Sequence, residues 1–436
     1  MATLRQSIEQ HITDAYTAIG NKSGTIPTQK NLANLAESIN TISIGVDTSD
    51  ATATSADILK DKTAYVKGTK VTGAIETYDG TVEDVPYTDF LTLTGETSEF
   101  TLAVGSNGAK EWDGILYYST DHNTWNVWDG TAISSANKKL YLKGKGNTKF
   151  WTSKGARLSL SAKAGCSGNI QTLLDWESPP TSIPIGNCYR FMFKDCTNLT
   201  TAPELPAITL APSCYYGMFE SCTNLTIAPV LPATTLANYC YSYMFNDCTN
   251  LTTASELPAT TLAQGCYHYM LSGCTSLTTA PNLPATTLVL GCYNSMFNGC
   301  TNLTTAPELP ATTLTLNCYY SMFNGCTSLT TAPELPATAL AQGCYYRMFG
   351  GCTSLTQAPE LPATTLESTC YYEMFRGCTS LKISATQSSE YPTAWRIPSS
   401  GSISSAATNW SNNMLYGTGG TFTSNPSINT TYYGAW

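Results

Sequence analysis

Apolar side chains recur along the C-terminal half of this chain in columns with a constant step. A cysteine stands at 188, 214, 240, 266, 292, 318, 344 and 370, each step being 26 residues, and a second follows eight residues after each, from Cys196 to Cys378. Tyrosine follows the first cysteine every time, from Tyr189 to Tyr371. Met192 to Met374 form another column, as do Phe193 to Phe375 (broken once by Leu271) and Leu199 to Leu381. A fixed period in this range predicts a solenoid whose units bury their faces on their neighbours. Within a unit, "CYYSMF" has the bulky, unbranched character of a short helical turn facing the core. "TSLTTAPEL" reads as a brief extended segment, and stacking would align such segments as a parallel sheet with strands about 4.8 Å apart. The inner prolines, Pro203, Pro229, Pro281, Pro307, Pro333 and Pro359, have no amide hydrogen for a ladder, so the strand should stop at or before them.

Upstream the period changes. In "LRQSIEQHITDAYTAI", Leu4, Ile8, Ile12, Ala15 and Ile19 share a helical face; after Gly20 a second helix is expected, capped by Thr28, with Leu32, Leu35, Ile39 and Ile42 on one face. Helices this short bury little alone, so residues 1–45 read as an assembly or docking element. Residues 46–82 hold a hairpin signal at Tyr65-Val66, Gly68 and Lys70-Val71. From 83 to 165, alternating β-formers with glycine- and asparagine-rich turns predict a small all-β sandwich. Gly165 and Cys166 open a cap, "CSGNIQTLLDWESPP", so the solenoid spans 166–390, its eight repeats 188–381. Residues 391–436 echo the repeat at Asn412-Asn413-Met414-Leu415 and should cap the far end, with Trp436 packed on a neighbour. The fold class is multidomain: short N-terminal helices, a small all-β domain, then an α/β solenoid of 26-residue repeats.

Composition narrows the function. Charged residues are 12% of the 436, about half the globular norm of roughly 25%. A net charge of −9, with 22 Lys and Arg spread thinly, argues against nucleic acid, which needs a clustered basic face. No apolar run approaches the ~20 residues of a bilayer span. The first twenty residues lack the layout of a secretion signal, so synthesis in a cytoplasm is expected. No G-x-S-x-G, phosphate loop or Cys/His pairing supports an enzyme, and no cofactor is implied.

The cysteines carry no metal signature: their spacing is C-x7-C, and His11, His122 and His268 are the whole histidine complement. A disulfide across a helical "CYYSMFNGC" would have to span about 12 Å, and a cytoplasmic origin disfavours bonds between repeats. Each sulfur is expected to fill a small slot in a column of identical slots. A glutamate column, Glu204, Glu256, Glu308, Glu334 and Glu360, interrupted by Val230 and Asn282, reads as a solvated edge ahead of a cation-tolerant stripe. The residues suited to a partner are aromatic. Trp112, Trp125, Trp128 and Trp151 stand out in the β-region, where Trp-Asp-Gly occurs twice; they either stack on sugar rings or, as is commoner in so small a domain, fill its core. In the variable pair after each core tyrosine, Tyr216, Tyr243, Tyr269, Tyr320, Tyr346 and Tyr372 could meet a glycan or protein.

Two resemblances bear on these expectations. "LPATTLAQGCYYRMFGGCTSLTQAPELP" is similar to the BspA-like leucine-rich repeats of bacterial surface proteins, with a slightly longer unit. It implies a leucine-rich-repeat solenoid over roughly 166–390. The stretch Ala56 to Gly73, "ADILKDKTAYVKGTKVTG", closely resembles a small module of bacteriophage tail-fibre and baseplate-associated proteins. Together they imply a structural and adhesive virion protein: anchored to other virion proteins by its N-terminal region, homo-oligomeric (a trimer is the family expectation), and presenting the solenoid to a host-surface glycan or protein. Alternatives are a decoration protein touching only other particle proteins, and a BspA-like adhesin carried by a bacterial cell.

Overall fold

The computed structural model describes residues 63–66, 69–72, 89–105, 112–150, 157–397, 402–403 and 408–436. The chain forms two compact units, Met1–Pro86 and Tyr87–Trp436. In the first, β1 (Thr63–Val66) and β2 (Thr69–Thr72) pair antiparallel with Val66 opposite Thr69, which is the hairpin expected from the sequence. The helices expected within 1–45 lie outside the described residues.

The second unit begins with two sheets. Strands β3 (Leu91–Gly95), β4 (Thr101–Val104), β5 (Ile115–Ser119), β6 (Asn126–Val127), β7 (Ile133–Ser134), β8 (Lys139–Lys145), β9 (Leu158–Leu160) and β10 (Ala164–Ser167) follow in order. Burial alternates along β3 and β8, so Leu91, Leu93, Leu140 and Leu142 point into one core while their neighbours face outward. The larger sheet runs β11-β10-β3-β8-β5-β6, where β11 (Leu199–Thr201) belongs to the first repeat; the smaller runs β7-β4-β9. Strand β10 pairs antiparallel with β3 and parallel with β11. The boundary expected between 165 and 166 therefore falls inside a strand, and the sheet continues into the repeats without a linker. A short 3₁₀ helix, Ile170–Leu173, capped by the Asn169 side chain, completes the join.

In the repeats the expected helical turn is replaced by a ribbon of consecutive turns, and this corrects the α/β expectation for the described residues. Counted from the first cysteine, the residues at −1, +3 and +7 all have positive φ, as Gly291, Ser295 and Gly299 do around Cys292 (58°, 55° and 74°). A right-handed helix needs negative φ throughout. The hydrogen bonds explain the choice. The N–H groups of Gly291, Tyr293, Ser295, Phe297 and Gly299 donate to carbonyls of the next repeat at 2.7–3.1 Å, while those of Cys292, Asn294, Met296, Asn298 and Cys300 donate three residues back at 3.1–3.3 Å. A helix would spend every N–H within itself. The ribbon instead sends every second one to its neighbour, so stacking and local structure are satisfied together.

The extended segment is thinner than a sheet. After β11 it contributes isolated parallel bridges, Ile227 to Thr253 and then Thr279 to Thr305 to Thr331 to Gln357. The bridged residue lies two before the inner proline, where the strand was expected to stop, and in the repeat of Cys240 two before Ser255, which takes the proline's place. A second set of bridges joins Thr287, Thr313, Ala339 and Thr365; the last belongs to β12 (Thr365–Leu366), which pairs with β15 (Ser402–Ile403).

Inside the column, Tyr189 to Tyr371 stack with ring centroids 5.7–6.0 Å apart. Phe150 continues that stack at one end, and Trp410 closes it edge-on at the other. The far end is a ninth ribbon, with positive φ at Asn409, Asn413 and Gly417, receiving the N–H groups of Tyr371, Glu373, Phe375 and Gly377. Strands β13 (Ile383–Ser384), β14 (Thr393–Ile397) and β16 (Thr430–Gly434) form a small antiparallel sheet beside it. Trp436 packs edge-on against Trp395 of the same cap, 6.3 Å between centroids.

Candidate binding surface

All 17 cysteines are free and buried. The slots are as expected, with one addition that sequence reasoning missed. In the second column each thiol from Cys222 to Cys378 donates to the carbonyl of the residue in the phenylalanine column of the preceding repeat, at 3.0–3.2 Å. Burial raises these thiols' pKa; Cys300 and Cys378 are pushed up to about 12. Such thiols are held in the protonated, unreactive form. Among the described residues no cluster of His, Cys, Asp and Glu is arranged to hold a metal ion, and no helix is long and apolar enough to cross a membrane.

The expected tryptophan contacts divide. Trp112 and Trp128 are buried against each other, 5.0 Å between centroids, and the Trp128 indole N–H donates to the Thr131 carbonyl at 2.8 Å. Neither presents a ring face to solvent, so both leave the set of glycan candidates for the core. Trp125 is half-buried in an aromatic nest that already holds a cation. The Lys143 ammonium sits 4.2 Å from the Trp125 ring centroid and 3.8 Å from that of Trp176, with Phe90 at 5.1 Å. Its burial there lowers the Lys143 pKa. Trp151 lies outside the described residues.

The expected tyrosines are brought together. All six are half-buried on the turn ribbon, at +2 or +3 from the first cysteine, and they form two triads. Tyr216 meets Tyr243 at 5.4 Å, and Tyr243 stacks on Tyr269 at 4.9 Å with planes 4° apart. Tyr320, Tyr346 and Tyr372 stack at 4.5 and 4.8 Å with planes 5° apart. Between the triads, the repeat of Cys292 carries Asn294 and Ser295 at these positions.

Neighbours finish the surface. The Arg190 guanidinium lies 4.5 Å from the Tyr216 ring centroid. His268 packs edge-on against Tyr243 and Tyr269, and burial lowers its pKa to about 4, which keeps it neutral at pH 7. At the other end Glu373 is buried and pairs with Arg347 (3.3 Å) and Arg376 (2.8 Å). Sequence reasoning placed His268 among the variable positions without giving it a role; the signal was that it shares a repeat with Tyr269. The glutamates of the acidic column are exposed, as a solvated edge would be.

The triads' chemistry follows from their stacking. A ring sandwiched at 4.5–4.9 Å offers its edge and hydroxyl and hides its faces, so face-on stacking of a sugar is confined to the ends of each triad. No protein-family model matches the chain, and no curated protein matches it. A solved structure described as a leucine-rich repeat protein from Bacteroides ovatus is similar, at 16% identity over 67% of this chain and 89% of that one, with a TM-score of 0.24.

Proposed function

We propose that the protein is a non-enzymatic, structural and adhesive component of a bacteriophage particle, its column being a BspA-like leucine-rich-repeat solenoid. Its N-terminal region docks to other virion proteins, and the chain works as a homo-oligomer, a trimer on the family resemblance. The unit Tyr87–Trp436 is presented to a glycan or protein of a host cell surface. The observation that carries this reading is the pair of outward tyrosine triads on a floor-by-floor hydrogen-bonded column. Tyrosine supplies a large contact area with a polar tip at little entropic cost. Weak sites repeated along a column and across copies gain from effective concentration.

The test is binding of fluorescently labelled full-length protein, and of a chain lacking residues 1–82, to a panel of bacterial strains. Equal binding of both to at least one strain supports an adhesive column with an N-terminal anchor. Absence of binding to every strain points instead to a decoration role, with the column's partner inside the particle.

A further inference from the structure

One ammonium of the β-region has an aromatic setting and no acceptor. Strand β8 turns Leu140 and Leu142 into the core and Tyr141, Lys143 and Lys145 outward, all three half-buried. The Lys143 ammonium lies over the rings of Phe90, Trp125 and Trp176. Two backbone devices bring the indoles there. The Asp121 carboxylate accepts the N–H groups of Asn123 and Thr124 at 2.9 and 2.7 Å, and the turn so fixed delivers Trp125. The Trp176 N–H donates to the Gly144 carbonyl at 2.9 Å, at a glycine whose added Cβ would strike the Leu173 carbonyl. Phe90, buried, meets both indoles edge-on, at 5.1 and 6.0 Å between centroids. The rings shield the ammonium from part of its water, and among the described residues no hydrogen-bond acceptor replaces that water. The carboxylate that acts on it at longer range, Glu177, is engaged by Lys145.

The cation borders an open apolar surface. Tyr117 of β5 stands opposite Lys143, and Val127 of β6 stands opposite Tyr117, so the register puts all three on one face of the sheet. Tyr117 is half-buried and has no ring partner among the described residues, and Val127 is 66% exposed. We propose that this face binds an anionic sugar, whose ring lies on Tyr117 while its carboxylate or phosphate accepts from the Lys143 ammonium. The inference rests on the adhesive reading above and names its ligand class. Charge complementarity selects the anion: an ammonium held among rings without an acceptor gains one from the ligand. The sheet selects the sugar. Strands β8 and β5 are interior, so their main-chain groups are spent on neighbouring strands and do not read a peptide as a free edge would. What remains is a ring whose negative face suits sugar C–H groups, one strand spacing, about 4.8 Å, from a cation. Trp125 and Trp176 act on the ligand through Lys143, by fixing where the cation sits.

The test is saturation-transfer NMR on full-length protein with methyl glucuronide, glucose 6-phosphate and the neutral methyl glucoside. Glycerol phosphate and N-acetylglutamate amide serve as anions without a sugar ring. Lys143→Met keeps an unbranched apolar stem and removes the charge. Tyr117→Ala removes the platform and serves if the first variant fails to fold, which thermal unfolding reports. The expected result is transfer to at least one anionic sugar. Binding should be about tenfold weaker for the neutral glucoside, and about tenfold weaker for the anionic sugar in either folded variant. Response to the glucuronide or to the phosphate tells a uronic acid from a phosphorylated sugar. Transfer to neither anionic sugar, equal binding of the glucoside, binding unchanged in a folded variant, or equal binding of either ringless anion overturns the proposal. The cell panel keeps the two readings apart. Cell binding by a protein that takes up no anionic sugar removes this site and leaves adhesion standing. Lys143-dependent sugar binding without binding to any cell leaves the site standing and removes the adhesive role.

Discussion

Two tyrosine columns run through the same repeats, one at +1 from the first cysteine and one at +2 or +3, and they have opposite characters. The inner column, Tyr189 to Tyr371, is unbroken and at most 2% exposed. Burial holds its hydroxyls well above the ordinary tyrosine pKa. The outer column is half-buried and interrupted, and Tyr243 and Tyr346 are pushed up only to about 12. Residue type is shared, so it does not separate the columns. What does is the turn ribbon, which turns successive pairs of residues inward and outward. A ring on the inside is required by the floors above and below it. On the outside, His268, Asn294, Arg347 and Glu373 are accommodated as readily, which leaves that side free to be shaped by a partner.

The largest expected effect is alkaline unfolding driven by the inner columns. A thiol or phenol whose folded pKa is raised contributes stability that is fully present below its unfolded pKa and is lost as pH rises toward the folded one. For the thiols that window opens near pH 8.5. Its upper end is near 12 for Cys240, Cys292, Cys318 and Cys370. Each buried thiol that ionises only on unfolding lowers stability by about 1.4 kcal/mol per pH unit across it. Because 17 buried thiols act together, urea midpoints should hold steady up to about pH 8 and then drop steeply. A midpoint unchanged between pH 8 and 11 would contradict the inner assignment.

Next in size is the same substitution made in both columns. Tyr293→Ala empties a slot between two stacked rings deep in the column and should cost about 3–5 kcal/mol. Tyr346→Ala removes a half-exposed ring and should cost about 1 kcal/mol or less. Urea denaturation of the two variants checks the contrast, and equal losses would erase the distinction between the columns.

Much of this division could be read from the sequence. Constant columns at Cys, Tyr, Met, Phe and Leu marked the core, and the variable pair after each core tyrosine marked the surface. The turn ribbon was not legible as such. Its inward residues, Cys292-Tyr293, Met296-Phe297 and Cys300, recur every four positions, too close to the 3.6 of a helix for spacing to tell them apart. The distinguishing signal was the glycine, aspartate and serine at +7 and the glycine, asparagine and serine at −1, where only Tyr239 and Thr369 depart from it. Tryptophan chemistry was ambiguous for a different reason: Trp112, Trp125 and Trp128 all stand in short polar, turn-like stretches, and only the fold buries Trp112 and Trp128 and gives Trp125 to Lys143. The stacking of the six outer tyrosines into two triads depended on the ribbon and so followed from no local pattern.

The ribbon that sorts the columns can be strained directly. Gly325 has φ of +76°, and a Cβ there would meet Gly299 at ordinary contact distance, 3.6 Å. The cost of Gly325→Ala is therefore conformational, about 1–2 kcal/mol. Gly325→Asn should cost less, since asparagine tolerates this region and aspartate already occupies the equivalent position at Asp195 and Asp247. Thermal unfolding that ranked asparagine below alanine would mean that the +7 position is not held left-handed in solution.

The finest test applies the same logic to the two cysteine columns. Cys326→Ser keeps a donor within reach of the Phe297 carbonyl, which the native thiol contacts at 3.1 Å and which also accepts the Cys300 N–H. Cys318→Ser places a hydroxyl in an equally buried slot where the native thiol has backbone N–H groups of Thr315 and Tyr319 beside it and donates to no carbonyl among the described hydrogen bonds. A buried hydroxyl without a partner costs about 1–3 kcal/mol, while one that finds an acceptor recovers most of it. The serine at 318 should thus be the more destabilising by about 1 kcal/mol, read from paired urea midpoints at pH 7, where neither parent thiol is ionised. Equal losses would mean that the second column's sulfurs are there for their volume alone, and the repeated thiol–carbonyl contact would be a consequence of packing instead of a cause of it.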